Sequence, residues 1–336
     1  MKKKVLVLGA TGAMGTYLVP ELLKRGYYVD GVSLDEIKSD NLQLNYIKAD
    51  AGDDKFLEKL LENSYDGIVD FMLYETYKFK RRYEMILKNT SHYMFLSSYR
   101  IYNDLDDMTS ETSARLLETC DDKDFTESED YSIIKARQED ILKNSGYKNW
   151  TVLRPTITYS KRRFQLVTCE GNVIIPRAKA GKKILMPESA KNVQATLTWA
   201  GDVAKMIAVL LFSDSAKGEA YTPTTNEHIS WGAVAEIYKD ILGLETEWID
   251  TEEYLKIMSG EKIINPHTRW QLQYDRLLNR VMDNEKVLKA TGMKQSDLKS
   301  IRDGITEELL ALPDDALWYG GEKTDYLMDE YIKDNL

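Results

Sequence analysis

The chain has 336 residues, enough for one large α/β core and a smaller lobe, and its 43% hydrophobic content excludes general disorder. A formal net charge of -10, from 55 acidic and 45 basic residues, repels a phosphate backbone on average and argues against a nucleic-acid partner. Two cysteines, Cys120 and Cys169, and three scattered histidines, His92, His228 and His267, provide neither a disulfide framework nor metal-ligand spacing. Lys2-Lys3-Lys4 precede an apolar run of only four residues, too short for an export signal. No stretch reaches the about 18 apolar residues of a bilayer span, so a soluble, cytoplasmic protein is expected.

Val5-Leu6-Val7-Leu8 reads as a buried parallel strand, and Leu18, Leu22 and Leu23 give the segment after it helical spacing. Gly9, Gly12 and Gly15 sit at this strand-to-helix junction. There a missing Cβ lets the backbone approach a pyrophosphate, whose charge the free N–H groups of a helix start favour. Pro20 predicts a bend or irregular turn in that first helix. Further strands are expected near 28–33, 45–48, 67–72, 93–97 and 151–154, and helices near 13–25, 54–63, 76–89 and 129–145. Such alternation, with right-handed crossovers, predicts a doubly wound parallel sheet.

On the 76–89 helix, Lys78, Lys80, Arg81 and Arg82 read as a solvated face. Tyr93 to Leu96 reads as a strand delivering Ser97 and Ser98 at its carboxyl end, where ligands bind open parallel sheets. Tyr131 and Lys135 share a helix face, and a cation beside a phenol favours the phenolate. Lys161, Arg162 and Arg163 follow Arg154-Pro155 and read either as ordinary loop cations or as groups that meet an anionic substrate. Beyond residue 155 the pattern is irregular, with helices near 201–213, 230–242 and 295–311 and a strand at 218–221. Asp202 reads as an N-cap for Val203 onward.

Together Gly9-Ala10-Thr11-Gly12-Ala13-Met14-Gly15, Phe95-Leu96-Ser97-Ser98 with Tyr102, Tyr131/Lys135, Val152-Leu153-Arg154-Pro155 and Trp199 to Ala204 resemble the extended short-chain dehydrogenase/reductase superfamily, in its NAD-dependent epimerase/dehydratase branch. The resemblance covers roughly residues 3 to 310. It implies a Rossmann-type sheet with a smaller mixed C-terminal substrate lobe. Residues 1–155 and about 195–225 would form the dinucleotide domain, and about 156–194 with 226–336 the lobe. It also implies Ser98, Tyr131 and Lys135 as catalytic residues, Ser98 being chosen over Ser97 because it stands four residues before Tyr102. The cofactor would contact Gly9, Thr11, Gly12, Ala13, Met14, Gly15, Ser33, Asp50, Ala51, Met72, Lys135 and Pro155.

NAD is expected over NADP, because Asp35 and Glu36 follow Ser33 at the tip of the second strand and the first cation there is Lys38. NADP stays open, since Ser33 could accept a phosphate hydrogen bond. Sugar-nucleotide dehydratases of this family carry an Asp-Glu pair where this chain has Tyr99 and Arg100, and nucleotide-sugar binders usually have an asparagine where it has Ile157. Epimerase and simple carbonyl reductase therefore compete, on a small molecule or a nucleotide sugar. A monomer or homodimer without metal is expected. A cofactor-binding protein with little turnover, like the RNA-associated relatives in plastids, is the reading from another class.

Overall fold

A computed structural model describes residues 2–260, 263–313 and 315–336. Its centre is a parallel sheet of seven strands: β1 (Lys4–Leu8), β2 (Tyr28–Ser33), β3 (Leu44–Lys48), β4 (Tyr65–Asp70), β5 (Thr90–Leu96), β6 (Trp150–Leu153) and β7 (Glu219–Tyr221). The spatial order is β3-β2-β1-β4-β5-β6-β7. Strand order therefore reverses between β1 and β4, and the crevice for a ligand opens at the carboxyl ends there. β1 lies between β2 and β4 and is covered on both faces, which is why Val5 to Leu8 are all fully buried rather than alternating.

Five helices position the site: α1 (Gly15–Lys24), α2 (Asp54–Leu61), α3 (Thr76–Lys88), α4 (Tyr131–Lys143) and α5 (Ala200–Leu210). On one face Leu18 and Leu22 of α1 join Val203 and Ile207 of α5 against Val5, Val7, Val69 and Met94. On the other, Leu57, Phe79, Ile86 and Leu142 cover Leu6, Leu8, Ile68 and Phe95. A separate core, with Ile157, Ile174, Leu185, Trp231, Tyr254 and Ile305, fills the lobe beyond β6. Val287 of the late helix Glu285–Thr291 nevertheless packs in the α1–α5 layer.

Several local expectations change. α1 runs unbroken through Pro20, whose ring is exposed, so the freed carbonyl one turn earlier can meet water. Asp202 does not cap α5: Trp199 is the N-cap, and buried Asp202 instead accepts the Lys299 amide at 2.7 Å and Lys205 Nζ at 2.8 Å. Arg82 is not on a solvated face. It is fully buried, donates to the Ala51 carbonyl at 2.6 Å and lies 4.5 Å from the Tyr74 ring. Among the described residues no helix is long and apolar enough to cross a membrane, and no group of three or more His, Cys, Asp or Glu could hold a metal.

Candidate active site

Two adjoining cavities of about 440 Å³ each open at the carboxyl ends of the strands. The first is lined by Gly9, Thr11, Gly12, Ala13, Ser33, Asp50, Ala51 and Met72, together with Asp35 and Arg162. Gly9 turns the chain with φ +84°, and its amide and that of Ala10 both donate to the Val32 carbonyl at 3.0 Å. A Cβ at Gly15 would press on the Gly9 and Ala10 carbonyl oxygens, the latter at 2.6 Å, so glycine is needed for the helix to pack under the turn. Met14, the N-cap of α1, offers no side-chain cap, and no acidic residue stands in the first turn. The uncapped amides at the start of α1 and the positive end of the helix can hold a phosphate. The Ser33 hydroxyl is already bonded to Thr11 Oγ1 at 2.6 Å and to the Asp35 amide at 3.0 Å.

The second cavity is lined by Met14, Ser98, Tyr131 and Pro155 from the expected set, with Tyr99, Arg100, Asp130, Arg163, Glu170, His267, Gln271 and Arg276. Gly15 and Lys135 lie behind the walls. Lys135 is 1% exposed and donates to the Leu96 carbonyl at 2.7 Å and the Met72 carbonyl at 3.3 Å, which places its ammonium between the two cavities. Burial brings its pKa down to about 8, with Asp70 and Glu139 opposing the shift. Its Nζ stands 5.9 Å from the Tyr131 ring. One helical turn, capped by Asp130 on the Ser132 amide, thus brings phenol and cation together at the end of β5.

The two serines diverge. Both line the second cavity, but the Ser97 hydroxyl is spent on Glu139 Oε1 at 2.6 Å. Ser98 caps the turn Tyr99–Ile101 through the Arg100 amide at 3.2 Å and faces the cavity. Behind them Arg154 grips Glu139 at both oxygens, at 2.9 and 2.6 Å, and donates to Tyr102 Oη at 2.8 Å. Burial alone would raise the Glu139 carboxyl, but Arg154 and Ser97 hold it below the usual range.

Sequence reading passed over Arg100 as a site residue, and with it His267, Gln271, Asp275 and Arg276. Asp275 and Arg276 come from a π-helical turn, Leu272–Arg276, that inserts beneath Tyr99. Such turns mark functional sites but leave no spacing signal that could have been read. The cluster at 161–163 is split: Arg162 enters the first cavity and Arg163 the second.

Residues 5–222 match the NAD dependent epimerase/dehydratase family. A curated relative, the chloroplast stem-loop binding protein of 41 kDa b of Arabidopsis thaliana, is 22% identical over 250 residues; the match covers 70% of this chain and 62% of that protein. Among solved structures, Pal from Bacillus thuringiensis superposes with a TM-score of 0.70 at 20% identity, covering 91% of this chain and 98% of that one. UDP-glucuronic acid 4-epimerase from Bacillus cereus, solved with UDP-glucuronic acid and NAD, superposes with a TM-score of 0.66 at 16% identity, covering 98% and 100%. With the family match spanning well over half of the chain and the Gly9–Gly15 turn, the Ser98 strand end and the Tyr131/Lys135 helix converging on one crevice, this chain is a member of the NAD-dependent epimerase/dehydratase family of extended short-chain dehydrogenases/reductases.

Proposed function

We propose that the protein is an NAD-dependent enzyme that oxidises and re-reduces a hydroxyl-bearing carbon of a nucleotide sugar, as an epimerase, with Ser98, Tyr131 and Lys135 as its catalytic residues. The observation that carries this reading is the position of Lys135, buried between a glycine-turn cavity and a second cavity lined by Ser98 and Tyr131. The first cavity fits a dinucleotide: its α1 amides lack a side-chain cap, and its glycine turn leaves room where side chains would otherwise stand. Gly12, Ala13 and Met14 would hold the pyrophosphate, Asp35 the adenosine ribose and Lys135 the nicotinamide ribose. Bound there, NAD supplies hydride transfer.

Ser98 Oγ positions the substrate oxygen, and Tyr131 Oη takes up and returns its proton. Lys135, desolvated and bonded to two backbone carbonyls, stabilises negative charge on the phenol. Tyr99 and Arg100 occupy the place where sugar-nucleotide dehydratases carry their acid and base. Tyr99 is tied to Asp275 Oδ1 at 2.6 Å, and a guanidinium holds its proton, so elimination lacks both partners. The nicotinamide absorbance of the loaded protein, followed while nucleotide sugars and simple carbonyl compounds are added, tests the reading. An epimerase returns its cofactor to the starting state; net consumption identifies a reductase instead.

The Arabidopsis relative, a stem-loop binding protein by name, favours a second reading from another class, a cofactor-binding protein with little turnover that associates with RNA. The net charge of -10 weighs against it. Salt-dependent RNA binding without any cofactor-linked reaction would establish it in place of the first.

A further inference from the structure

Asp70 is buried at the carboxyl end of β4, and the reaction at Tyr131 gives it no part. Its carboxylate accepts the Tyr93 hydroxyl at 2.9 Å, the Met72 amide at 3.0 Å and the Tyr74 hydroxyl at 3.2 Å on either oxygen. These donors are neutral. A charge taken out of water among neutral donors is costly, and a cation in the same surroundings lowers that cost.

α4 supplies one. Asp70 stands opposite Phe95 in the register of β4 and β5, and its bond from Tyr93 puts it on the sheet face that carries the Phe95 ring. Lys135 Nζ lies 4.9 Å from the centre of that ring. Carboxylate and ammonium thus share one face of the sheet beside one phenylalanine, and both residues are buried. They are also linked through the chain. Asp70 holds the Met72 amide, and the Met72 carbonyl accepts Lys135 Nζ at 3.3 Å.

The other charges nearby have partners of their own. Glu139, one turn along α4, is gripped by Arg154, with Lys143 at 3.6 Å and Arg115 at 3.9 Å. Arg100, 5.0 Å from the Tyr131 ring, lies 3.0 Å from Asp275 and 3.8 Å from Asp130. Arg82 comes to Tyr74 from α3, with its Nε 3.3 Å from Asp54. Burial pushes the Asp70 carboxyl up, while the Met72 amide, Tyr93, Arg82 and Lys135 pull it back towards the ordinary carboxylate range. Arg82 therefore helps Asp70 to stay ionised, but as a cation it cannot do for Lys135 what Asp70 does.

We infer that Asp70 is a positioning residue for Lys135: it is the counter-charge that keeps the buried ammonium protonated and, through Met72, fixes its place between the two cavities. This rests on the reading of Lys135 as the cation beside Tyr131 and adds the residue that keeps it one.

Melting curves of the full chain across pH test it. Lys135 gives up its proton at about pH 8 in the folded protein and at 10.5 in the unfolded chain, so its loss appears as a rise in stability with pH. Asp70→Asn keeps the size of the side chain and an oxygen for its donors but removes the charge. The rise should then begin at least about one pH unit lower, the scale of an opposite charge close by. Tyr74 and Tyr93 are pushed well above the usual phenol range by burial and do not titrate in that window. A variant that is less stable at every pH, with the rise unmoved, overturns the inference, because Asp70 would then be only structural. If Asp70→Asn alone does not fold, adding Lys135→Met decides: a folded double variant shows that the stranded cation was the fault, and an unfolded one overturns the inference. None of this needs turnover. The alkaline fall of turnover should move with the rise; a fall that stays where it is in the wild type while the rise moves sinks the reaction reading and leaves Asp70 its role.

Discussion

The protein buries two clusters of charge within a few residues of each other, and they are built differently. Glu139 meets Arg154 through two hydrogen bonds, with Ser97 and Tyr102 adding to them and with Lys143 at 3.6 Å and Arg115 at 3.9 Å standing farther off, and the pair ties α4 to β6. Asp275 faces Arg100, Arg276 and Arg280 and leaves Arg100 Nε without a hydrogen bond. The first pair has its hydrogen bonds made within the folded chain, whereas the second cluster keeps Arg100 and Arg276 along the cavity wall. The difference shows that residues of the same chemical type take opposite surroundings from the fold.

The strongest way to break this contrast is to open the closed pair. Glu139→Ala strands the buried Arg154, and unfolding by denaturant is expected to show a loss of about 3–5 kcal/mol. A loss below about 1 kcal/mol would show that the pair is no more structural than an exposed one. Lys135 sharpens the contrast from a third side, as a buried cation bonded to the Leu96 and Met72 carbonyls. Its pKa is lowered from 10.5 to about 8 in the folded protein, so with rising pH the native state releases its proton before the unfolded state does. The unfolded chain then binds more protons between about pH 8 and 10.5, and stability gains up to about 3 kcal/mol from this group across that window. Melting curves should show the rise in the wild type and its absence in Lys135→Met. Turnover should fall over the same rise through about pH 8 as the ammonium is lost.

Tyr131→Phe removes the proton carrier and leaves both clusters in place. Turnover is expected to drop by at least about a hundredfold, with NAD affinity nearly unchanged. The smallest effect belongs to the exposed pair of Arg162 and Asp35, 3.9 Å apart and each about half exposed. Arg162 is the cation nearest the expected ribose end and softens the repulsion that Asp35 exerts on a 2′-phosphate. A moderate preference for NAD over NADP is expected, and Arg162→Ala should widen it about two- to fivefold, corresponding to less than about 1 kcal/mol. Dissociation constants of both oxidised cofactors at low and high salt measure this. Tighter NADP binding in the variant would assign Arg162 no such role.

The elements of the first half were legible because their signals are local. The Val5–Leu8 run, the three glycines and the spacing of Leu18 and Leu22 state a strand, a turn and a helix within some twenty residues. Expected and observed bounds there differ by about two or three residues. Arg82 was misread for the opposite reason. Its neighbours on the helix are indeed cations, but its own environment comes from the Ala51 carbonyl and Tyr74, beyond the reach of helical periodicity.

Length, hydrophobic periodicity and the order of five short motifs determined the sheet and singled out Gly12, Ser98, Tyr131 and Lys135 as candidates, because backbone propensity and motif spacing are properties of neighbours along the chain. Tertiary structure alone decided that Ser97 spends its hydroxyl on Glu139 while Ser98 caps the Tyr99–Ile101 turn, and that Arg162 and Arg163 part to different cavities. It also brought Asp275 under Tyr99 across 176 positions of sequence. A buried charge is defined by which groups surround it in space, and no local pattern of residues records that.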